Sequence, residues 1–131
     1  MNPLRRQVTD DRAVRLQKVM RRLRGLDREV PAQVLHCLFY IAARENCHKQ
    51  ALEEDLKMTT ASASRNTDWL SQSHRIKGAD GLGLITKEQD PDNKRRIQLR
   101  LTPAGQDLMD ELYDLLYVQT TQTNQDNSAG N

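Results

Sequence analysis

The sequence predicts a predominantly α-helical domain that carries one small β-hairpin, and three observations lead there. Apolar residues recur at steps of three and four over most of the chain, the spacing of helices with one buried face. One stretch departs from that period: Ile97, Leu99 and Leu101 alternate with Gln98 and Arg100, the period of two of a strand. Finally, two short helical patterns meet at Lys57-Met58 with fresh N-cap candidates at Thr59 and Thr60, which is the grammar of two helices joined by a sharp turn.

The first element runs from Asp10 to Leu26. Ala13, Leu16, Val19/Met20, Leu23 and Leu26 mark one face, while Arg12, Arg15, Lys18, Arg21, Arg22 and Arg24 fill much of the remainder. Thr9 or Asp10 suits the N-cap and Gly25 the stop. A second helix begins near Pro31, and Val34, Leu35, Leu38, Phe39, Ile41 and Ala42 make it the most apolar of the chain, hence the central core helix. From Lys49 to Leu56 a short helix turns Leu52 and Leu56 inward. The helix after the turn places Ala63, Thr67 and Leu70 on its core face. Its other side presents Thr60, Ala61, Ser62, Ser64, Arg65, Asp68 and Trp69. Small side chains let a helix sit deep in a major groove, and one arginine there can read guanine with two hydrogen bonds, although a Ser/Thr-rich surface needs no partner.

The hairpin spans residues 82–101. Its first arm is Leu-Gly-Leu-Ile-Thr, and Asp90-Pro91-Asp92-Asn93 supplies the turn, with Pro91 pre-set for the second position of a type I turn. Lys94, Arg95 and Arg96 follow at once. A two-stranded hairpin is barely stable alone, so it must pack on the helices and project its charged tip, an arrangement suited to phosphates. Thr102-Pro103 then caps a last helix whose apolar positions, Leu108, Met109, Leu112, Tyr113, Leu115, Leu116, Tyr117 and Val118, are too wide a stripe for one contact.

Composition narrows the function classes. A chain of 131 residues fits one domain, here residues 1–120, with 121–131 a polar tail that has nothing to bury. No apolar run approaches the length of a membrane span, and a soluble, cytoplasmic protein is expected. Net charge is only +2, but residues 1–28 carry +6, residues 29–102 carry +1 and residues 103–131 carry −5. Such asymmetry points to basic and acidic elements that pair or address different partners. His36-Cys37 and Cys47-His48 offer zinc-ligand types, yet adjacent His and Cys on a helix diverge by about 100°, so no metal or other cofactor is expected. Cys37 shares a face with Val34 and Ile41 and reads as a core thiol. His36, His48 and His74 sit beside no nucleophile, carboxylate pair or phosphate loop, which argues against an enzyme.

Taken together, the two-helix unit (about 48–72), Gly-Leu-Ile at 83–85, the Asp-Pro-Asp-Asn-Lys-Arg-Arg tip and Leu-Thr-Pro-Ala-Gly at 101–105 resemble the MarR family of winged helix-turn-helix transcriptional regulators. The resemblance covers roughly Cys47 to Leu112. It implies sequence-specific binding of duplex DNA by a homodimer, with Thr60, Ser62, Ser64 and Arg65 on the recognition helix and Lys94, Arg95 and Arg96 on the wing. It also implies dimerisation through the N- and C-terminal helices, for which Leu16, Met20, Leu23, Leu108, Leu112, Leu115 and Leu116 are the candidates. Three departures stand out. Glu53 and Lys57 occupy places where the family has a small buried residue and a turn glycine, and residues 71–81 form an insertion of about nine residues. His74, Arg75 and Lys77 in that insertion would lie beside the DNA face, where the latter two could add phosphate contacts, while plain surface decoration is the alternative. Many members of the family bind small aromatic ligands, but the five aromatic residues here announce no pocket. A rival reading is a protein-interaction module that binds RNA polymerase or another regulator, given substance by the arginine-rich first helix and the acidic last one.

Overall fold

The computed structural model describes residues 7–26, 30–72 and 80–118. The insertion's His74, Arg75 and Lys77 and the polar tail lie outside the described residues. Among the described residues, five helices and three short strands follow one another as α1 (Asp11–Arg24), α2 (Ala32–Ala42), β1 (Cys47–His48), α3 (Lys49–Leu56), α4 (Thr60–Leu70), β2 (Ile85–Gln89), β3 (Ile97–Leu101) and α5 (Pro103–Tyr117).

Side-chain caps set three of the helix starts. Asp10 accepts the Arg12 amide at 2.9 Å, Thr59 the Ser62 amide at 3.0 Å and Thr102 the Gly105 amide at 3.1 Å, each satisfying a donor with no intrahelical partner. Helix α3 ends on Lys57 in the left-handed region (φ 55°), where glycine would be unstrained.

The core is built around α2. Val34, Cys37, Leu38 and Ile41 are almost fully buried, and they meet Leu52, Ala63, Leu70, Ile85 and Leu99 from the other elements. Both cysteines are buried, and desolvation pushes their thiols up to about 11, so neither is a thiolate near neutral pH.

The sheet has three strands where the sequence suggests two, in the antiparallel order β1-β3-β2. Cys47 and His48 pair with Leu99 and Gln98, which makes β3 the central strand. That pairing explains why Gln98, on the expected polar side of the alternation, is buried: His48 flanks it on one edge and Glu88 on the other. The strand of the first arm begins at Ile85, later than the expected 82, because residues 81–84 serve another purpose. The amides of Leu82 and Leu84 donate to the carbonyls of Trp69 and Leu70 at 2.8 and 2.7 Å, so the chain returning from the insertion satisfies the end of α4. Gly81 is required there, since a Cβ would fall 1.7 Å from the Ser71 carbonyl oxygen. Gly105 is required likewise against the Leu84 carbonyl, at 2.1 Å.

Helix α1 lies along α5 in the same protomer. Arg22 Nε donates to Glu111 at 2.7 Å, and Arg15 donates to the carbonyls of Leu116 and Val118 at the end of α5. The basic and acidic helices thus pair within one chain.

That packing places three of the expected dimer residues inside the protomer. Leu23, Leu108 and Leu112 are each only 2% exposed, because the α1–α5 seam buries them inside the protomer. Leu115 and Leu116 are half-buried against the same core. Leu16 and Met20 remain accessible, at 58% and 48%, beside Tyr113 and Tyr117, at 58% and 65%, whose rings lie 5.1 Å apart. With Phe39 they line an apolar groove of about 680 Å³.

Candidate nucleic-acid interface

The surface in question joins two elements, α4 and the β2–β3 hairpin. Ala63, Thr67 and Leu70 anchor α4 with no exposure, as the spacing requires, and the Thr67 hydroxyl returns its proton to the Ala63 carbonyl at 2.7 Å. Asn66 joins them, buried and donating to Gln33 at 3.2 Å. On the opposite side Thr60, Ala61 and Arg65 are exposed, while Ser62 and Ser64 are half-buried. Arg65 Nη2 donates to the Ser62 hydroxyl at 3.2 Å, one turn back along the helix, and the residue remains exposed.

Two residues of that face do something other than the sequence suggests. Asp68 accepts Lys87 Nζ at 2.8 Å, with both side chains mostly buried, and Trp69 is half-buried against the core. Lys87 lies on β2, so this pair and the amide bonds from Leu82 and Leu84 fasten the hairpin to α4 at several points. Removing one partner of a largely buried ion pair is costly, because it strands the other charge.

The hairpin tip consists of two consecutive turns. The Asn93 amide donates to the Asp90 carbonyl at 3.2 Å and the Arg96 amide to the Asn93 carbonyl at 2.9 Å, while Asp90 N–H closes the loop onto the Arg96 carbonyl at 2.9 Å. The Asp90 carboxylate is the tie. One oxygen accepts the Asp92 amide at 2.8 Å and the other lies 2.9 Å from His48 Nε2; the amide and then the imidazole hold its carboxyl below its ordinary range. His48 is therefore a partner of the wing, and among the described residues no group of His, Cys, Asp and Glu could hold a metal ion. Nothing in the sequence spacing joins positions 48 and 90, and only the β1–β3 pairing brings them together.

Lys94, Arg95 and Arg96 are all exposed, and the salt bridges among the described residues use none of them, nor Arg65. Thr60 is different. Its hydroxyl donates to Glu53 at 2.8 Å, which leaves that oxygen able only to accept.

No protein-family model matches the sequence, and no curated protein matches it. Solved structures do resemble the fold. A point mutant of MepR from a multidrug-resistant S. aureus clinical isolate superposes with a TM-score of 0.58 at 21% identity, over 86% of this chain and 81% of that one. A point mutant of MarR from E. coli gives 0.55 at 18% identity, over 94% and 87%. The PcaV transcriptional regulator of Streptomyces coelicolor, solved with its natural ligand, gives 0.52 at 22% identity, over 91% and 77%. With five helices, a three-stranded sheet and the hairpin fastened to α4, the chain has the winged helix-turn-helix fold of the MarR regulators.

Proposed function

We propose that this protein is a transcriptional regulator that binds duplex DNA sequence-specifically as a homodimer in the cytoplasm. One observation carries the reading: a helix with a small-residue face and an exposed arginine is fastened rigidly to a hairpin whose tip bears three cations in no salt bridge among the described residues. Exposed cations on such a frame favour a polyanion of regular shape, and the helix can enter a major groove while the tip follows the backbone. Ser62, Ser64 and Arg65 would meet base edges or adjacent phosphates, and Lys94, Arg95 and Arg96 phosphates or the minor groove. The resemblance of fold to MarR, MepR and PcaV supports the same reading.

Selection of bound sequences from random duplex DNA tests it. A recovered motif with two-fold symmetry and binding that weakens steeply with salt are the expected results. Salt-insensitive binding with no motif would favour the rival, a module docking on RNA polymerase or another regulator. The exposed cations of α1, Lys18, Arg21 and Arg24, would then be its first contact points.

A further inference from the structure

The turn between α3 and α4 is braced by three side chains. Glu53 Oε1 accepts the Thr60 hydroxyl at 2.8 Å, and Glu53 Oε2 accepts Lys49 Nζ at 2.8 Å. The same Nζ donates to the Thr60 carbonyl at 3.3 Å. The side chains of Lys49 and Glu53 are only 7% and 17% exposed, so both charges are largely shielded from water and each leans on the other. Burial works against the Glu53 charge, but Lys49 and Thr60 outweigh it and hold the carboxyl below its usual range.

Both arms of this network end on one residue. Thr60 is the first residue of α4, and Ser64 and Arg65 lie one turn further on. A helix held at its first residue pivots there, and readout of base edges demands side chains placed to within about 0.5 Å. Because the Thr60 proton is given to Glu53, its hydroxyl cannot also donate to a phosphate, which offers only acceptors.

We propose that Lys49, Glu53 and Thr60 form a brace that fixes the angle of α4 against α3 and so sets sequence discrimination, with Glu53 and Thr60 as positioning residues and not DNA contacts. This rests on the DNA-binding reading above.

Three variants and two measurements test it. Thr60→Val removes one hydroxyl at an exposed site and leaves the core untouched; Glu53→Ala removes the acceptor of that hydroxyl and the carboxylate partner of Lys49 together; Thr60→Ser keeps the hydroxyl. The first measurement is hydrogen exchange, in the free protein, of the Ser62 and Ala63 amides, which are bonded to Thr59. The second is the ratio of affinities for a selected duplex and a random duplex of equal length. Losing one such bond should speed exchange and reduce discrimination each by about fivefold in Thr60→Val, and further in Glu53→Ala. Random-duplex affinity should stay the same, and Thr60→Ser should match wild type in both. Unchanged exchange and discrimination in Thr60→Val overturns the brace. An equal loss on both duplexes overturns the positioning role. Wild-type protein that binds no duplex overturns the DNA reading, and the discrimination role with it, while the exchange rates still decide whether the brace exists. If Glu53→Ala fails to fold, Thr60→Val decides alone.

Discussion

Replacing Leu16 and Tyr117 together by Asp should convert a dimer into folded monomers. Leu16 is 58% exposed and Tyr117 65% exposed on the apolar groove of α1 and α5, so over half of each remains for a partner to cover. Full burial of a large apolar side chain contributes about 2 kcal/mol, which gives roughly 1.2 kcal/mol for each residue at these exposures. A two-fold interface uses each residue twice, so the double substitution removes about 5 kcal/mol, before counting the cost of four carboxylates facing an apolar surface. That corresponds to a dissociation constant on the order of 1000-fold higher or more. Sedimentation at micromolar concentration provides the assay. Wild-type protein should run as a dimer and the double variant as a monomer that still unfolds cooperatively, with a melting temperature lowered by loss of the dimer's contribution. A wild-type monomer would refute the dimer itself. A variant that remains dimeric would refute its placement on this groove.

Leu112→Ala should instead destabilise the protomer by about 2–5 kcal/mol in chemical denaturation, since Leu112 is 2% exposed in the α1–α5 seam. Arg95→Ala should weaken all duplexes alike and flatten the salt dependence by about one unit per protomer, measured as the slope of log affinity against log salt. Arg65→Ala should cost about 1–3 kcal/mol at a single G·C pair and relax preference there, visible in a renewed selection from random duplexes. Glu53 has a depressed carboxyl, so its contribution to stability is complete above the ordinary carboxylate value of 4.5 and fades as pH falls through the lower folded value. Glu53→Gln should flatten that acid limb of a melting-temperature profile.

The helices and the wing are legible in the sequence because their signals are local. Asp10 as cap, Gly25 as stop, the Ala63–Thr67–Leu70 face and the Asp90–Asn93 turn all rest on spacing within one element. What escapes depends on neighbours. Cys47 and His48 form a strand too short to show any period, and the burial of Gln98 follows from it. Periodicity finds the apolar stripe of α5 but not what covers it, so Leu23, Leu108 and Leu112 read as dimer residues although the protomer buries them. The Lys49–Glu53–Thr60 brace is visible only as an unusual glutamate, because its partners lie across a turn whose geometry the sequence leaves open. At the site, Arg65 and the wing cations are legible as cations on an exposed helix face and a turn, whereas the tie from His48 to Asp90 spans 42 positions.

The closed neck of the insertion has a practical consequence. The chain leaves α4 through Gln72 and returns at Gly81, whose amide donates to the Gln72 carbonyl at 3.1 Å, and the Gly83 amide donates to the Ser71 carbonyl at the same distance. Its two ends are thus held together by the fold's own hydrogen bonds, independent of what lies between. Closing a longer loop on fixed ends costs only about 0.6 kcal/mol for each doubling of length. This neck is therefore a natural port for grafting: a fluorophore peptide, an epitope or a small domain can be spliced between positions 72 and 81 while α4 and the hairpin keep their register.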